Sequence, residues 1–366
     1  MKVLVALSGG VDSSVAAAEL IDAGHHVVGI TMRLWGGESD TGCCSVADVD
    51  DARRVAQQLD IDHLVFNFSD EFNTHVVDPY VRAHSQGLTP NPCIECNRHL
   101  KFDRLSERAD LLGFDAIATG HHARVESVGD RRFVHRGADA AKDQSYVVHM
   151  LPQRELRRTM FPVGHLTKAQ VRDRAALLGL RTAEKPDSQD VCFITQTGGR
   201  ETFLGKRISF RKGTVVDSAG TVLGDVPAIE MVTLGQRRGI GLPGGGPKRY
   251  VTRIDQATAT VVVGDESDLD DSELLVGNVV WADEPHIGDV MVQCSAHGTA
   301  VPASLDGDIV HWSSPQRRVA PGQSVVFFDP TDSYVLGGGI ARSPHPSVSG
   351  PARGQVTKYP VDPEKT

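Results

Sequence analysis

Apolar runs alternate with amphipathic stretches through the first 120 residues. Lys2–Leu7, Val27–Met32, His63–Phe68 and Ala116–Thr119 are short apolar runs of strand length, and Asp12–Ala23, Ser45–Leu59, Ser69–His84 and Cys96–Leu112 carry apolar residues at helical spacing. This alternation predicts a parallel sheet covered by helices, with ligands beyond the carboxyl ends of its strands. After residue 120 the texture changes. Arg124–Glu126 and Arg132–Arg136 flank a hairpin turn, and Lys168–Leu178 reads as a helix capped by Thr167. From Ile208 onward the alternating runs Gly213–Val216, Tyr250–Ile254, Thr258–Val263, Val276–Trp281, Asp289–Cys294 and Ser324–Phe328 predict two small β-rich units. The acidic stretch Asp265–Glu273 marks their boundary, and the Pro-containing tail beyond Arg342 is expected to be mobile. The reading is an α/β chain in which residues 1–206 form a parallel-sheet domain with an appended helical region. Residues 207–270 and 271–366 then form two smaller β-rich domains, the last of them barrel-like.

With 366 residues, 40% of them hydrophobic and 23% charged, the chain can bury a core without disulfides or metal. No run approaches the roughly 20 apolar residues of a membrane span. The apolar start Val3–Leu7 enters Ser8-Gly9-Gly10 without a cleavage-site pattern, which implies a cytoplasmic address. The net charge of -9 argues against a generally basic nucleic-acid binder but is unevenly spread. Residues 1–80 hold 4 Lys/Arg against 13 Asp/Glu, whereas residues 153–212 hold 13 against 6. This basic segment is either a solvated face or a contact for a phosphate backbone.

Ser8-Gly9-Gly10-Val11-Asp12-Ser13 lies between the first strand and a helix, where free amides and the helix dipole attract an anion. The adjacent glycines let the backbone close around phosphate oxygens, and Asp12 can hold a phosphate-bound metal or orient the loop. There is no Walker lysine, which excludes a kinase-type or GTPase-type loop.

Six cysteines, Cys43, Cys44, Cys93, Cys96, Cys192 and Cys294, are too few and too irregular for a secreted disulfide framework. Pro90-Asn91-Pro92-Cys93-Ile94-Glu95-Cys96 is a rigid segment before a helix. Cys96 is placed at the helix start, where the dipole, Arg98 and Lys101 would lower its thiol pKa. The alternative is a structural zinc half-site, which no second pair completes. Cys192, between Val191 and Phe193, reads on its own as a small buried residue, as do Cys43, Cys44 and Cys294. Of the adjacent His121 and His122, His121 is expected to back the nucleotide pocket.

The loop Ser8–Ser13 resembles the pyrophosphate-binding loop of the ATP pyrophosphatase superfamily, which implies an adenine nucleotide alpha hydrolase-like domain and adenylation with release of pyrophosphate. Asn91-Pro92-Cys93 with Cys96-Asn97, and Asp187-Ser188-Gln189 with Cys192-Phe193-Ile194, narrow the resemblance. So do Ala118-Thr119-Gly120-His121, Lys142-Asp143-Gln144-Ser145, Leu234–Gly239, Pro321-Gly322-Gln323 and Leu336–Gly339. Together they are similar to the tRNA-specific 2-thiouridylase family over nearly the whole chain.

That resemblance implies ATP, with Mg2+, at Ala6, Leu7, Ser8, Gly9, Gly10, Val11, Asp12, Ser13, Met32 and Gly120. It implies Cys192 as the persulfide carrier and Cys96 as the second catalytic cysteine, forming a disulfide in turnover. Asn91, Pro92 and Cys93 would touch the target base, and Asp143, Gln144 and Ser145 the tRNA. The substrate would be the wobble uridine in the anticodon stem-loop of tRNAs for Lys, Glu and Gln. The partner would be a persulfide donor such as a cysteine desulfurase or a relay protein. An iron–sulfur cluster on Cys93, Cys96 and Cys192 is the alternative sulfur route. Some relatives carry Asp in place of Cys93. Val290–Ser304 lacks the family's Arg-Tyr pair, for which Arg317-Arg318 could substitute. Delivery of sulfur would need the segment Asp187–Phe193 to move and close over Cys96. Outside this family, the rivals are a ligase of the superfamily that needs no cysteines, such as argininosuccinate synthetase, and a non-catalytic RNA-binding protein.

Overall fold

The computed structural model describes residues 1–34, 46–187, 191–194, 198–242 and 246–343. Cys43, Cys44, Ser188–Asp190 and the tail from residue 344 lie outside the described residues.

In the first region the strands are β1 (Lys2–Ala6), β2 (His26–Arg33), β3 (His63–Asn67), β4 (Ala116–Ala118), the hairpin β5 (Ala123–Val128) and β6 (Arg131–Arg136), and β7 (Thr159–Met160). All but the hairpin form a five-stranded sheet in the order β3-β2-β1-β4-β7, each neighbour parallel. Central β1 is apolar throughout its middle because it is covered on both faces: Val3, Leu4 and Val5 are wholly buried. Val3 and Val5 pack with α1 (Val11–Asp22), α2 (Val46–Gln58) and the helix Lys168–Leu177. Leu4, Ile30, Met32 and Ile117 face the helical stretches between residues 69 and 111.

Those stretches are wound in part as π-turns, over Asn73–Val77 and Asn97–Arg104, a local winding often found at functional sites. The helix expected to begin at Cys96 begins at Pro92 instead. Asn91 caps it by accepting the Cys93 N–H at 3.1 Å, and Pro92 supplies the fixed φ of a first helical residue. The helix end therefore belongs to Cys93, and Cys96 lies one turn further in.

Beyond the helix Gly199–Gly205 come β8 (Gly213–Val216), β9 (Val222–Val226), β10 (Tyr250–Asp255) and β11 (Thr260–Gly264), a sheet ordered β10-β11-β8-β9 around Val215, Ile229, Val251 and Val261. The acidic stretch is an ordered join: Asp265 and Asp268 close a capping box, and Asp270 opens the next strand. The strands β12 (Asp270–Trp281), β13 (Gly288–Gln293), β14 (Val301–Asp306), β15 (Ile309–Arg317), β16 (Ser324–Phe328) and β17 (Val335–Ala341) close into a barrel. In β17 the run Gly337-Gly338-Gly339 marks close approach: a Cβ on Gly338 would stand 2.5 Å from His149 Cδ2 and 2.7 Å from Val325 O.

The barrel is pinned to the first region by polar contacts, in part buried. Tyr146 Oη donates to Ser324 O at 2.9 Å, and the Arg136 guanidinium, 3.5 Å from the centre of the Phe328 ring, pairs with Asp143, Asp332 and Gln293. At another point Thr89 N donates to Pro321 O at 2.8 Å and Gln323 Nε2 to Thr89 O at 3.0 Å. Thr89 directly precedes the Pro90–Cys93 segment, so the barrel buttresses the start of the cysteine helix.

Candidate nucleotide and cysteine site

The chain stays an extension of β1 through Leu7, whose N–H donates to Ile30 O at 2.7 Å and whose carbonyl accepts the Thr31 hydroxyl at 2.8 Å. It then turns through Gly9, at φ +71°, where a Cβ would lie 2.4 Å from Asp48 O, so that only glycine fits. Gly10, extended at φ -99° and ψ 163°, leads into α1 with no side-chain cap. The loop is braced from within: Ser8 N donates to Ser13 Oγ at 3.2 Å, and the Ser13 and Ser14 hydroxyls donate to Gly10 O at 3.0 and 2.8 Å. Gly120 lies against the first turn of α1, its absent Cβ 2.6 Å from Ser13 N. Leu7 and Val11 are core residues of the α1 face, whereas Ala6 and Met32 pack into the cluster on the opposite face of the sheet.

Asp12 accepts His122 Nε2 at 3.0 Å and Lys168 Nζ at 2.7 and 2.8 Å. Burial alone would raise its carboxyl, but the hydrogen bonds from His122 and Lys168 and their charges outweigh burial and hold it below the usual range. The histidine behind the loop is therefore His122, not His121. His121 sits between Phe102 and Phe161 with Nδ1 2.6 Å from the Thr119 hydroxyl, and burial, helped by Lys101, pushes it well below the ordinary imidazole value.

Lys168 also reaches Asp187 at 2.9 Å, where Arg172 joins at 2.9 Å and Lys142 at 2.8 Å. Burial opposes ionisation of Asp187, but Lys142 and Lys168 overcome it and bring the carboxyl down to about 2. The sequence reading missed this cluster, although a signal was present. Lys168 is the first residue of its helix and no acidic residue shares its first turn, an unfavourable place for a cation unless an anion faces it.

Much of the basic segment is spent in the same way, against acidic partners. Arg174 pairs with Glu19 and Asp22, Arg181 with Asp51, and Lys185 with Asp48 and Asp51. Arg157, Lys206 and Arg207 remain exposed.

Cys93 is exposed and Cys96 is 8% exposed in the apolar cluster that Ala6 and Met32 also join. Cys192, half-buried, packs against that same cluster. Its neighbour Phe193 is wedged edge-on between Phe72 and Tyr80, with ring centres 5.7 and 5.4 Å away, and lies 5.0 Å from Phe203. The segment expected to move is thus anchored at both described ends, by Asp187 and by Phe193.

Asp143 and Ser145 turn inward. Ser145 is wholly buried and donates to Asp143 at 2.6 Å, and Asp143 also takes the Gly137 N–H at 2.7 Å. Gln144 pairs with the backbone of His122 through its own N–H and its side-chain oxygen, each at 2.9 Å.

Comparison with known proteins selects among the branches of the superfamily. Residues 1–196 match the family described as tRNA methyl transferase HUP domain, 201–265 its PRC-barrel domain, and 271–341 the aminomethyltransferase beta-barrel domain. A tRNA-specific 2-thiouridylase MnmA from Mycolicibacterium paratuberculosis is 47% identical over 354 residues, covering 92% of this chain and 98% of that protein. The chain belongs to the tRNA-specific 2-thiouridylase family. A further member, from Mycolicibacterium gilvum, is 46% identical over 362 residues, covering 94% of this chain and all of that protein. A solved 4-thiouridine synthetase–RNA complex with bound ATP is 20% identical, covering 52% of this chain and 44% of that one, at a TM-score of 0.33, too slight a likeness to argue from.

The structure also places three other groups of residues named in the sequence reading. Arg317 and Arg318 are engaged within the protein: Arg317 donates to Gly235 O at 2.8 Å, and Arg318 pairs with Asp271 at 3.4 Å. With a further bond from Arg318 to Thr252 O at 3.3 Å, they tie the barrel to the middle sheet. Cys294 is inert, its thiol pushed up to about 12 by burial. Among the described residues, Cys93, Cys96 and Cys192 included, no three His, Cys, Asp or Glu side chains converge as a metal-ligand set.

Proposed function

We propose that this chain catalyses ATP-dependent 2-thiolation of the wobble uridine of tRNAs for Lys, Glu and Gln in the cytoplasm. The observation that carries the reading is that residues flanking a pyrophosphate-type loop share one apolar cluster with two cysteines. Ala6 and Met32, at the nucleotide side, belong to the same apolar cluster as Cys96, against which Cys192 packs. Oxygen at C2 leaves poorly as hydroxide, so it must first be adenylated. The loop amides hold the phosphates, and Asp12 with those phosphates suits Mg2+, which keeps one or two carboxylate ligands and neutralises charge on the nucleotide.

The uridine oxygen attacks the α-phosphate and pyrophosphate departs. The terminal sulfur of a Cys192 persulfide, loaded by a persulfide-donor protein, then attacks C2, and the C–O bond breaks to release AMP. Attack of the Cys96 thiolate on Cys192 Sγ breaks the S–S bond, leaves the sulfur on the base and forms a Cys96–Cys192 disulfide, which a thiol reductant returns to two thiols. Asn91, Pro92 and exposed Cys93 meet the base, splayed out of the anticodon loop. In the Asp143–Ser145 segment, Gln144, whose side-chain oxygen holds the His122 N–H, would offer RNA its amide NH2.

The decisive experiment is mass spectrometry of tRNA nucleosides from cells lacking the protein. Loss of 2-thiouridine is expected, and its persistence, or loss of a methyl group instead, would count against the reading. Release of one AMP and one pyrophosphate per thiolated uridine separates it from a nucleotide-switched RNA binder.

A further inference from the structure

Three cationic side chains converge on one carboxylate beside the nucleotide loop. Lys142 Nζ is 2.8 Å from Asp187 Oδ2, while Lys168 Nζ and Arg172 Nη2 are each 2.9 Å from Asp187 Oδ1. Lys168 simultaneously holds Asp12 at 2.7 Å, which fixes the cluster directly against the first turn of α1. We infer that Lys142, Lys168 and Arg172 form the binding site for the pyrophosphate leaving group, and that the carboxylate of Asp187 competes with pyrophosphate for it.

Stereochemistry supports this placement, and the argument rests on the adenylation proposed above. In phosphoryl transfer the attacking and leaving oxygens lie roughly in line across the phosphorus. In that reading the uridine takes the cysteine side of the sheet, where Cys96 and Met32 share one cluster and Ala6 packs against it. Pyrophosphate must therefore leave on the opposite side, where α1 packs with the helix Lys168–Leu177 through Val15, Ala16, Val171 and Ala175. Lys168 stands at the first position of that helix, so its N-terminal amides add to the same positive field. Three cations matched to one carboxylate also suit the more highly charged polyphosphate, with Arg172 offering the fork geometry that phosphate oxygens accept. Asp187 lies five residues before Cys192. Pyrophosphate and the anchor of the cysteine-bearing segment thus draw on the same three donors.

The test is calorimetric titration of the full-length protein with inorganic pyrophosphate and, in parallel, with AMP, which lacks the departing phosphates. Lys142→Gln and Arg172→Gln should each weaken pyrophosphate binding by roughly tenfold, the scale of one charge-assisted hydrogen bond, and leave AMP binding unchanged. Asp187→Asn should strengthen pyrophosphate binding several-fold. Asp22→Asn removes the same charge from a carboxylate paired elsewhere, with Arg174, and should do nothing. Unchanged pyrophosphate affinity in both cation variants, equal losses for AMP, or an equal gain in Asp22→Asn would each overturn the assignment. The cellular nucleoside assay reads thiolation alone and these titrations read the anion site alone, so failure of one is distinguishable from failure of the other. Thermal melts of the same samples show that a lost signal is not lost fold.

Discussion

The two sides of the nucleotide loop are built from opposite materials. On one, Asp12 and Asp187 are laced to Lys142, Lys168 and Arg172 through partly buried ion pairs. On the other, Cys96 and Cys192 share one apolar cluster with the rings of Phe72, Tyr80, Phe193 and Phe203. Charge suits the side that receives phosphates, and an apolar wall suits the side where an adenylated base must meet sulfur before water. The contrast also divides the energetics. The outer cations of the ionic side, Lys142 and Arg172, can be lost at small cost in stability, since exposed pairs contribute about 0–1 kcal/mol, whereas each buried ring contributes several.

The sharpest break is between the two chemistries. Cys192→Ser should abolish 2-thiouridine formation while adenylated tRNA still accumulates. Asp12→Ala should act one step earlier, lowering adenylation by about 100-fold or more, the scale of losing an electrostatic group that acts on the reacting phosphates, with tRNA binding retained. Both are read from radiolabelled ATP and filter binding, and equal losses of adenylation in the two variants would erase the distinction.

Next in size is Phe193→Ala, which should cost about 3–5 kcal/mol in urea unfolding, against about 1 kcal/mol or less for Arg172→Gln. Comparable costs would mean that the apolar wall is not the structural side. A smaller effect concerns His99, on the Cys96 helix, each ring nitrogen 3.3 Å from a carboxylate, Asp103 or Glu95. The Asp103 and Glu95 hydrogen bonds push it up to about 9 against an ordinary 6.5. Its folded-state pKa is raised, so its stabilisation is complete below pH 6.5 and fades as pH rises through about 9. His99→Gln should flatten that part of the stability–pH curve, and an unchanged slope would deny the pairing. The smallest effect expected is in the salt dependence of tRNA affinity. Arg157→Ala or Lys206→Ala should each flatten the log–log slope by roughly 0.7–0.9, and neither doing so would make the exposed basic residues ordinary surface.

The sheet was legible where burial dictates sequence. Val3–Val5 and Val27–Ile30 are apolar because both faces of the sheet are covered, and the Thr167 cap announced its helix with Gln170 completing the box. Thr159–Met160 is too short to carry a period, and Val335–Ala341 hides its strand behind three glycines that close packing requires. The start of the cysteine helix was readable from Asn91-Pro92, a cap followed by a first-turn proline, but the cysteine drew attention to itself. The loop's glycines and Asp12 could be named from the sequence. The choice of His122 over His121 could not, because it depends on which side chain the strand exit turns toward α1, and neither could the Asp187 cluster, which joins residues up to 45 positions apart.

The clasp of Gln323 on Thr89 spans 234 residues, and this long reach sets an order of assembly. Contacts that close such large loops form late, after local helices and hairpins, and a chain made from its amino end lacks Gln323 until the barrel strands are nearly complete. The parallel sheet and the nucleotide loop need only residues of the first region and are finished early. The turn that presents Cys93 and Cys96 gains its last support only when β16 and β17 close the barrel beside it, so the protein matures from its phosphate end toward its sulfur end.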